Sequence, residues 1–318
     1  NKRLVIANIF NKLFSKKPNQ NYYTFDNDMV KEESLKVKFS NQFDATKFDS
    51  MKLLPPVLRE KGYFIIHLGK GEHAFVKGTG YHVFEPIQEA VKWSIKNSIF
   101  NKIGRSEAST VSDTYNTKII HDFIFGDIKK ELFVHTARRS KTSFDLVFNG
   151  DTLHADKLQI EIDGFYESED TIICVEAKNI DHDDFEIRQV HSTMIHFYNF
   201  QKEDIIPKNY KIRFLFIVRV IGKNEDSFRI YEYKFDDIKR LDSIKLIKNK
   251  QYNVSMISYP VLKKKVDLSF SYFSSSSING LIHLCISSIF LNFGNLFSSK
   301  NLHIRLDSAK ASLRGFVY

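Results

Sequence analysis

Between residues 144 and 220 the hydrophobic pattern changes period twice, and this constrains the fold more than any other part of the chain. Phe144–Asn149 alternates as a half-buried strand does, Asn149-Gly150-Asp151 is a turn signal, and Lys157–Asp163 alternates again. Gly164 to Asp170 is expected to turn the chain. Thr171–Lys178 is β-branched and mostly apolar, the pattern of a central strand covered on both faces. Asp183 or Asp184 can cap a helix running to about Phe200. Ile212–Val220 then reads as a buried strand, with Phe228–Tyr233 as its neighbour. Strand hairpin, helix, strand gives an α/β core with a central mixed sheet flanked by helices.

The flanks are less regular. Residues 1–60 are polar and basic and are expected to form an arm or small helical subdomain. Tyr63–Leu68 reads as a strand, followed by Gly69-Lys70-Gly71. That loop lacks the glycine spacing and Lys-Ser/Thr pair of a phosphate cradle, so a hairpin connection is expected. Pro86 opens an expected helix whose stripe is Ile87, Ala90, Val91, Ser94, Ile95, Ser98 and Ile99. A second helix is expected over about Glu107 to Phe125, and a strand over 132–136. This divides the chain into an N-terminal region 1–60, a core 61–235 and a mostly helical C-terminal region 236–318, DNA-binding or atypical in sequence. From Leu268 to Ser299 there is no Asp, Glu, Lys or Arg. Segment 278–297 could span a bilayer on length, but Asn279, His283, Asn292 and Asn295 argue for a core element instead.

Two cysteines exclude a disulfide scaffold and any all-cysteine zinc site. Leu4–Phe14 is amphipathic, too short to cross a membrane and unlike a signal peptide, so a cytoplasmic protein without a membrane partner is expected. The chain opens at Asn1, as a processed product or a fragment would.

The chemistry concentrates where the strands end. Gln159, Glu161 and Asp163 share one strand face, and Glu176 and Lys178 share a face at the end of the apolar strand. Charges there are costly unless paired or bound to an ion. A hairpin between the two strands would bring Asp163 and Glu176 together beside Lys178. Two carboxylates from neighbouring strands suit Mg²⁺, which keeps several waters. An ion so held polarises a phosphate, and a lysine beside it can stabilise the negative transition state. A surface hairpin carrying a Glu–Lys pair is the plainer alternative.

Asp163-Gly164 followed by Glu176-Ala177-Lys178 resembles the PD-(D/E)xK nuclease motif, with Ile162 where proline often sits. The wider order is similar to a group of type II restriction endonucleases. It comprises Gln159-Ile-Glu161-Ile-Asp163, then Val175-Glu176-Ala177-Lys178-Asn179, then Asp184-Phe185-Glu186-Ile187-Arg188-Gln189. The likeness extends upstream to Ser106-Glu107 and to Arg138-Arg139, covering about residues 105–200. It departs after Gln189, where Val190-His191-Ser192-Thr193-Met194 replace expected aromatic and proline residues. The resemblance implies a restriction-endonuclease-like core. Asp163, Glu176 and the Ala177 carbonyl would hold Mg²⁺, with Lys178 as catalytic lysine. Glu107 would be an additional acid from the first helix, and Gln189 would support the site or the phosphate. Arg188 would contact the scissile strand or cover the sheet. His182 among Asp181, Asp183 and Asp184 reads as a solvated turn and helix cap rather than a second metal site.

The formal charge of +9 fits a nucleic-acid partner, though an AT-rich genome inflates lysine equally well. Arg138, Arg139 and Lys141 form the expected DNA contact, with Lys70, Lys77 and Lys263 to Lys265 as further patches. The implied function is a Mg²⁺-dependent endonuclease acting on double-stranded DNA. A homodimer would suit a palindromic site, and a cognate methyltransferase encoded nearby would suit restriction. The rival readings are a nuclease of repair, junction resolution or transposition, and an inactive DNA-binding protein of the same fold.

Overall fold

The computed structural model describes residues 1–96, 106–135, 138–179, 181–222 and 225–257. The chain begins with α1 (Lys2–Lys16), β1 (Tyr22–Asp26), α2 (Asn27–Lys36) and α3 (Pro56–Lys61). Proline opens α3 and Gly62, at φ 71°, ends it in the left-handed conformation that glycine adopts without strain. β2 (Tyr63–Gly69) and β3 (Glu72–Lys77) form the expected hairpin, and β1 adds to it, giving a three-stranded sheet in the order β1-β3-β2. So residues 1–60 are not a separate arm: β1 pairs with β3 from Tyr22↔Val76 to Asp26↔Glu72. Val5, Ile6, Ile9 and Phe10 of α1 are buried against this sheet, with the Phe10 and Phe75 rings 5.2 Å apart.

Next come β4 (Tyr81–Val83), β5 (Ala90–Lys96), α4 (Glu107–Asn116), α5 (Ile119–Phe125), β6 (Phe133–His135), β7 (Arg138–Phe148), β8 (Asp151–Ile162), β9 (Gly164–Glu167) and β10 (Thr171–Lys178). The chain continues with β11 (Asp184–Glu186), α6 (Ile187–Lys202), β12 (Lys211–Val220), β13 (Asp226–Phe235) and β14 (Ile244–Ile257). Seven strands form the central mixed sheet, in the order β5-β14-β13-β12-β10-β9-β6. β10 and β12 are parallel, joined over the sheet by α6, and β9 and β13 flank them antiparallel. Alternation along β10 sorts its side chains. Ile173, Val175 and Ala177 face α4 and α5, while Ile172 and Cys174 face α6. Glu176 and Lys178 therefore share the α6 side.

The strand assignments for β2, β10, β12 and β13 follow the hydrophobic pattern closely. Three expectations are corrected. The expected helix from Pro86 is the strand β5 in its described part, paired parallel with β14 from Gln251↔Ala90 to Ile257↔Lys96. Val91, Trp93 and Ile95 alternate as well as they repeat helically, and packing of Trp93 on Tyr252, 5.3 Å between rings, decides for the strand. The single helix over 107–125 breaks at Lys118, where φ is 65°. Gly164–Glu167 is strand, so the turn is confined to residues 168–170. In addition, β14 pairs with β13 from Asp226↔Val254 to Phe235↔Ile244, so the sheet runs past residue 235. The described part of the C-terminal region is a turn and a short 3-10 helix (Leu241–Ser243) followed by β14, and the uncharged segment and Lys263 to Lys265 lie outside the described residues.

The N-terminal sheet meets the β7–β8 hairpin at Gly69. Its φ is +89°, and a Cβ there would lie 2.1 Å from the Asp156 carbonyl oxygen. Asn149 Nδ2 donates to the Lys77 carbonyl at 2.9 Å, and the Phe64 and Phe148 rings lie 5.8 Å apart. Gly69→Ala should therefore force these two layers apart and cost about 2 kcal/mol or more. Chemical denaturation of the variant would show it, and an unchanged midpoint would refute this packing.

Candidate functional site

Asp163 sits at the junction of β8 and β9, where the chain leaves the β7–β8 hairpin and enters the central sheet. Its expected neighbour arrives, but through a different pairing. β8 pairs with β7, and the short β9 pairs with β10 with Gly164 opposite Val175. The effect is that Asp163 meets the end of β10, accepting a hydrogen bond from Ala177 N at 2.9 Å. Gly164 has a second role. A Cβ there would lie 2.6 Å from Val111 Cγ1, so glycine lets α4 close on the sheet. α4 is capped by Ser106, whose Oγ accepts from Ser109 N at 3.1 Å, and tied to the strand end by Thr110 Oγ1 donating to Asn179 Oδ1 at 2.6 Å. This places Glu107 at the same point.

The result is one ammonium among three carboxylates. Lys178 Nζ lies 2.8 Å from Glu176 Oε1 and 3.1 Å from Glu107 Oε1, and Asp163 acts on both Lys178 and Glu176 electrostatically. Glu176 is only 8% exposed. Burial pushes its carboxyl up to about 8, although Lys178 pulls in the other direction. Burial also raises Asp163, against the Ala177 N–H and Lys178. For Lys178 burial works against the charge, but Glu176, Glu107 and Asp163 more than restore it, and its proton is held more tightly than usual. With all three acids ionised the cluster has excess negative charge in a desolvated place, and that favours a cation.

The donor set fits Mg²⁺. One or two carboxylates, a backbone carbonyl and waters are what that ion takes, and Asp163 and Glu176 are carboxylates of that kind at one strand end. Among the described residues no group of three or more His, Cys, Asp or Glu is placed to hold a metal ion by itself. Asp181, Asp183 and Asp184 are not a second site: Asp181 binds Arg229 at 2.7 Å, and Asp184 accepts from Met51 N. Nor do Asp183 and Asp184 cap the helix, because residues 184–186 pair with β4 and Glu186 precedes α6.

The other expected residues divide. Gln189 lines the same cleft as the acids, and its Oε1 is buried without a partner among the described residues. Arg188 also lines it, but its guanidinium grips Glu186 through two bonds of 2.9 Å, so it is engaged within the protein. Arg139 is exposed and pairs with Glu161 at 2.9 Å across the β7–β8 hairpin. Lys141 is exposed opposite Gln159, and Arg138 opens β7 opposite Ile162. Lys70 pairs with Asp156 at the cleft rim. The cleft itself measures about 680 Å³. Its far wall comes from the N-terminal region: Phe43, Lys47, His67 and His73 line it. Only the Gly69-Lys70-Gly71 loop hinted at that wall in the sequence.

Glu176 makes the metal-free protein pH-sensitive. Its folded-state value of about 8 lies above the ordinary 4.5, so folding favours the protonated form. That contribution is complete below about pH 4.5 and lost as pH rises through about 8. Melting temperatures in EDTA should fall across this window, and Glu176→Gln should flatten the slope. An identical slope in the variant would refute the buried charge as its source.

Residues 3–75 match a family described as a domain of unknown function (DUF6996), and residues 76–253 match another described as a domain of unknown function (DUF6997). No curated protein and no solved structure matches the chain. The seam between the two families falls inside β3, and the cleft takes residues from both sides of it. The second match covers more than half of the 318 residues, and the chain belongs to the DUF6997 family.

Proposed function

We propose that this chain is a Mg²⁺-dependent endodeoxyribonuclease with a restriction-endonuclease-like core, acting on double-stranded DNA in the manner of a type II restriction enzyme. The observation that carries this reading is the meeting of Asp163, Glu176, Lys178 and Glu107 at the end of a central strand, in the order in which the PD-(D/E)xK motif would need them. A cytoplasmic homodimer with a cognate methyltransferase goes with the same reading.

Asp163, Glu176 and the Ala177 carbonyl would hold the ion. Bound there, Mg²⁺ would offset phosphate charge and acidify its water. Lys178 keeps its proton among the three acids, so its part is to stabilise negative charge on the pentavalent phosphorus and to orient the attacking water. Glu107 holds the lysine from the α4 side. Lys141 and Lys157 on the cleft rim supply attraction for the phosphate backbone.

Incubation of plasmid or phage DNA lacking methylation with Mg²⁺ or Mn²⁺ tests this. The unaltered protein should cut, and Asp163→Ala and Lys178→Ala should each lower the rate at least about a hundredfold. Mg²⁺ should also raise the melting temperature at pH 8 in the unaltered protein but not in Asp163→Ala. Undiminished cleavage in both variants would refute the site. Absence of cleavage by the unaltered protein would favour an inactive DNA-binding relative, and sequencing of cut ends would give the recognition site.

A further inference from the structure

The N-terminal wall of the cleft carries a side chain that its own fold does not use. Phe43 is 87% exposed, yet it lines the cleft that contains Asp163 and Glu176. An aromatic ring left in water costs free energy that burial elsewhere would recover. Its surroundings are basic. Lys47, Lys141 and Lys157 border the same cleft, and none of them forms an ion pair among the described residues. An open ring among unpaired lysines is the arrangement by which proteins hold a nucleic-acid strand, the ring on a base and the cations on phosphates.

The interior of the cleft has a different character. Among the described residues, three polar atoms of its lining side chains are buried without a hydrogen-bond partner: His73 Nδ1, Gln189 Oε1 and Ser192 Oγ. His73 is 7% exposed and Ser192 2%. The tautomer of His73 follows from its other nitrogen. Nε2 donates to Asn27 Oδ1 at 2.9 Å, which leaves Nδ1 as an acceptor. Burial, then the nearby Arg188, holds this imidazole neutral at ordinary pH. Arg188 itself is satisfied by Glu186. His73, Gln189 and Ser192 carry no charge, and side chains of this kind can serve the edge of a heterocycle as well as a phosphate. The cleft, at about 680 Å³, has room for a ligand of nucleotide size.

We propose that the cleft seats one unpaired nucleobase, stacked on Phe43, with the backbone of its strand held by Lys47, Lys141 and Lys157. A base inside a stacked duplex offers no free face, so the base must be everted or belong to an opened strand. This deepens the nuclease reading and rests on it, because it names the part of the substrate that the N-terminal wall holds beside the carboxylates.

The test uses the full chain with Ca²⁺ in place of Mg²⁺, and two labelled single strands of equal length, one of ordinary DNA and one made wholly of abasic sites. The ordinary strand should bind about tenfold more tightly. Phe43→Ala should make the two affinities equal, and because the residue is exposed the variant should melt with the unaltered protein. Phe43→Trp should keep the difference, and its added fluorescence should be quenched by the ordinary strand alone. Equal affinities for the unaltered protein, or an undiminished difference in Phe43→Ala, would overturn the stacking proposal. Cleavage of plasmid with equal affinities would remove this proposal and leave the nuclease reading standing. If neither strand nor duplex binds, both fall.

Discussion

Lys178 is held between Glu176 and Glu107 at 2.8 and 3.1 Å, at the end of a strand whose other residues are buried, and the surrounding elements are arranged around that contact. A buried carboxylate and a buried ammonium are each expensive to desolvate, and neither is tolerated alone. Remove the ammonium and the Glu176 carboxyl loses the neighbour that draws it down, and it holds its proton more tightly still. Remove the acids and the lysine has no reason to stay. The pair can exist at this depth because β12 pairs with β10 over its whole length and β9 as far as Val175, beyond which Asp163 takes the Ala177 N–H.

Small features around the strand bring the remaining groups to it. Gly164 admits α4, and with it Glu107. The change of partner at Asp163, from β7 on one side to β10 on the other, turns a carboxylate from the rim of a hairpin into a neighbour of Ala177. α6 then covers the same sheet face and presents Gln189 and Ser192 to the cleft. Helix, strands and crossover thus each deliver side chains to one cleft. Their individual local structures need not be unusual for this to happen.

The N-terminal sheet gives the site its second side. It packs on the β7–β8 hairpin through Gly69, where only a glycine fits, and through Phe64 and Phe148. The cleft is consequently asymmetric: the acids and Lys178 on one wall, an open phenylalanine and neutral imidazoles on the other. Burial, followed by the electrostatic effect of Arg188, keeps His67 and His73 uncharged. That asymmetry separates the charged wall of the cleft from the aromatic one.

The α/β class, the strands β2, β10, β12 and β13 and the grouping of Asp163, Glu176 and Lys178 were legible in the sequence. They depend on local periodicity and on spacing within one hairpin, and short-range pattern carries both. Glu107 was legible as a residue heading a helix, because Ser106 caps it locally. The fate of residues 90–96 was not, since their pattern fits helix and strand alike and β14, some 160 residues away, decides the matter. The bond between Arg188 and Glu186 and the closing of the cleft by Phe43, Lys47 and His73 also lay beyond it. Those depend on which surfaces meet after folding, and packing between distant segments leaves no periodic trace in either one. The sequence by itself determined which groups could do chemistry, and the tertiary structure decided which wall they would face.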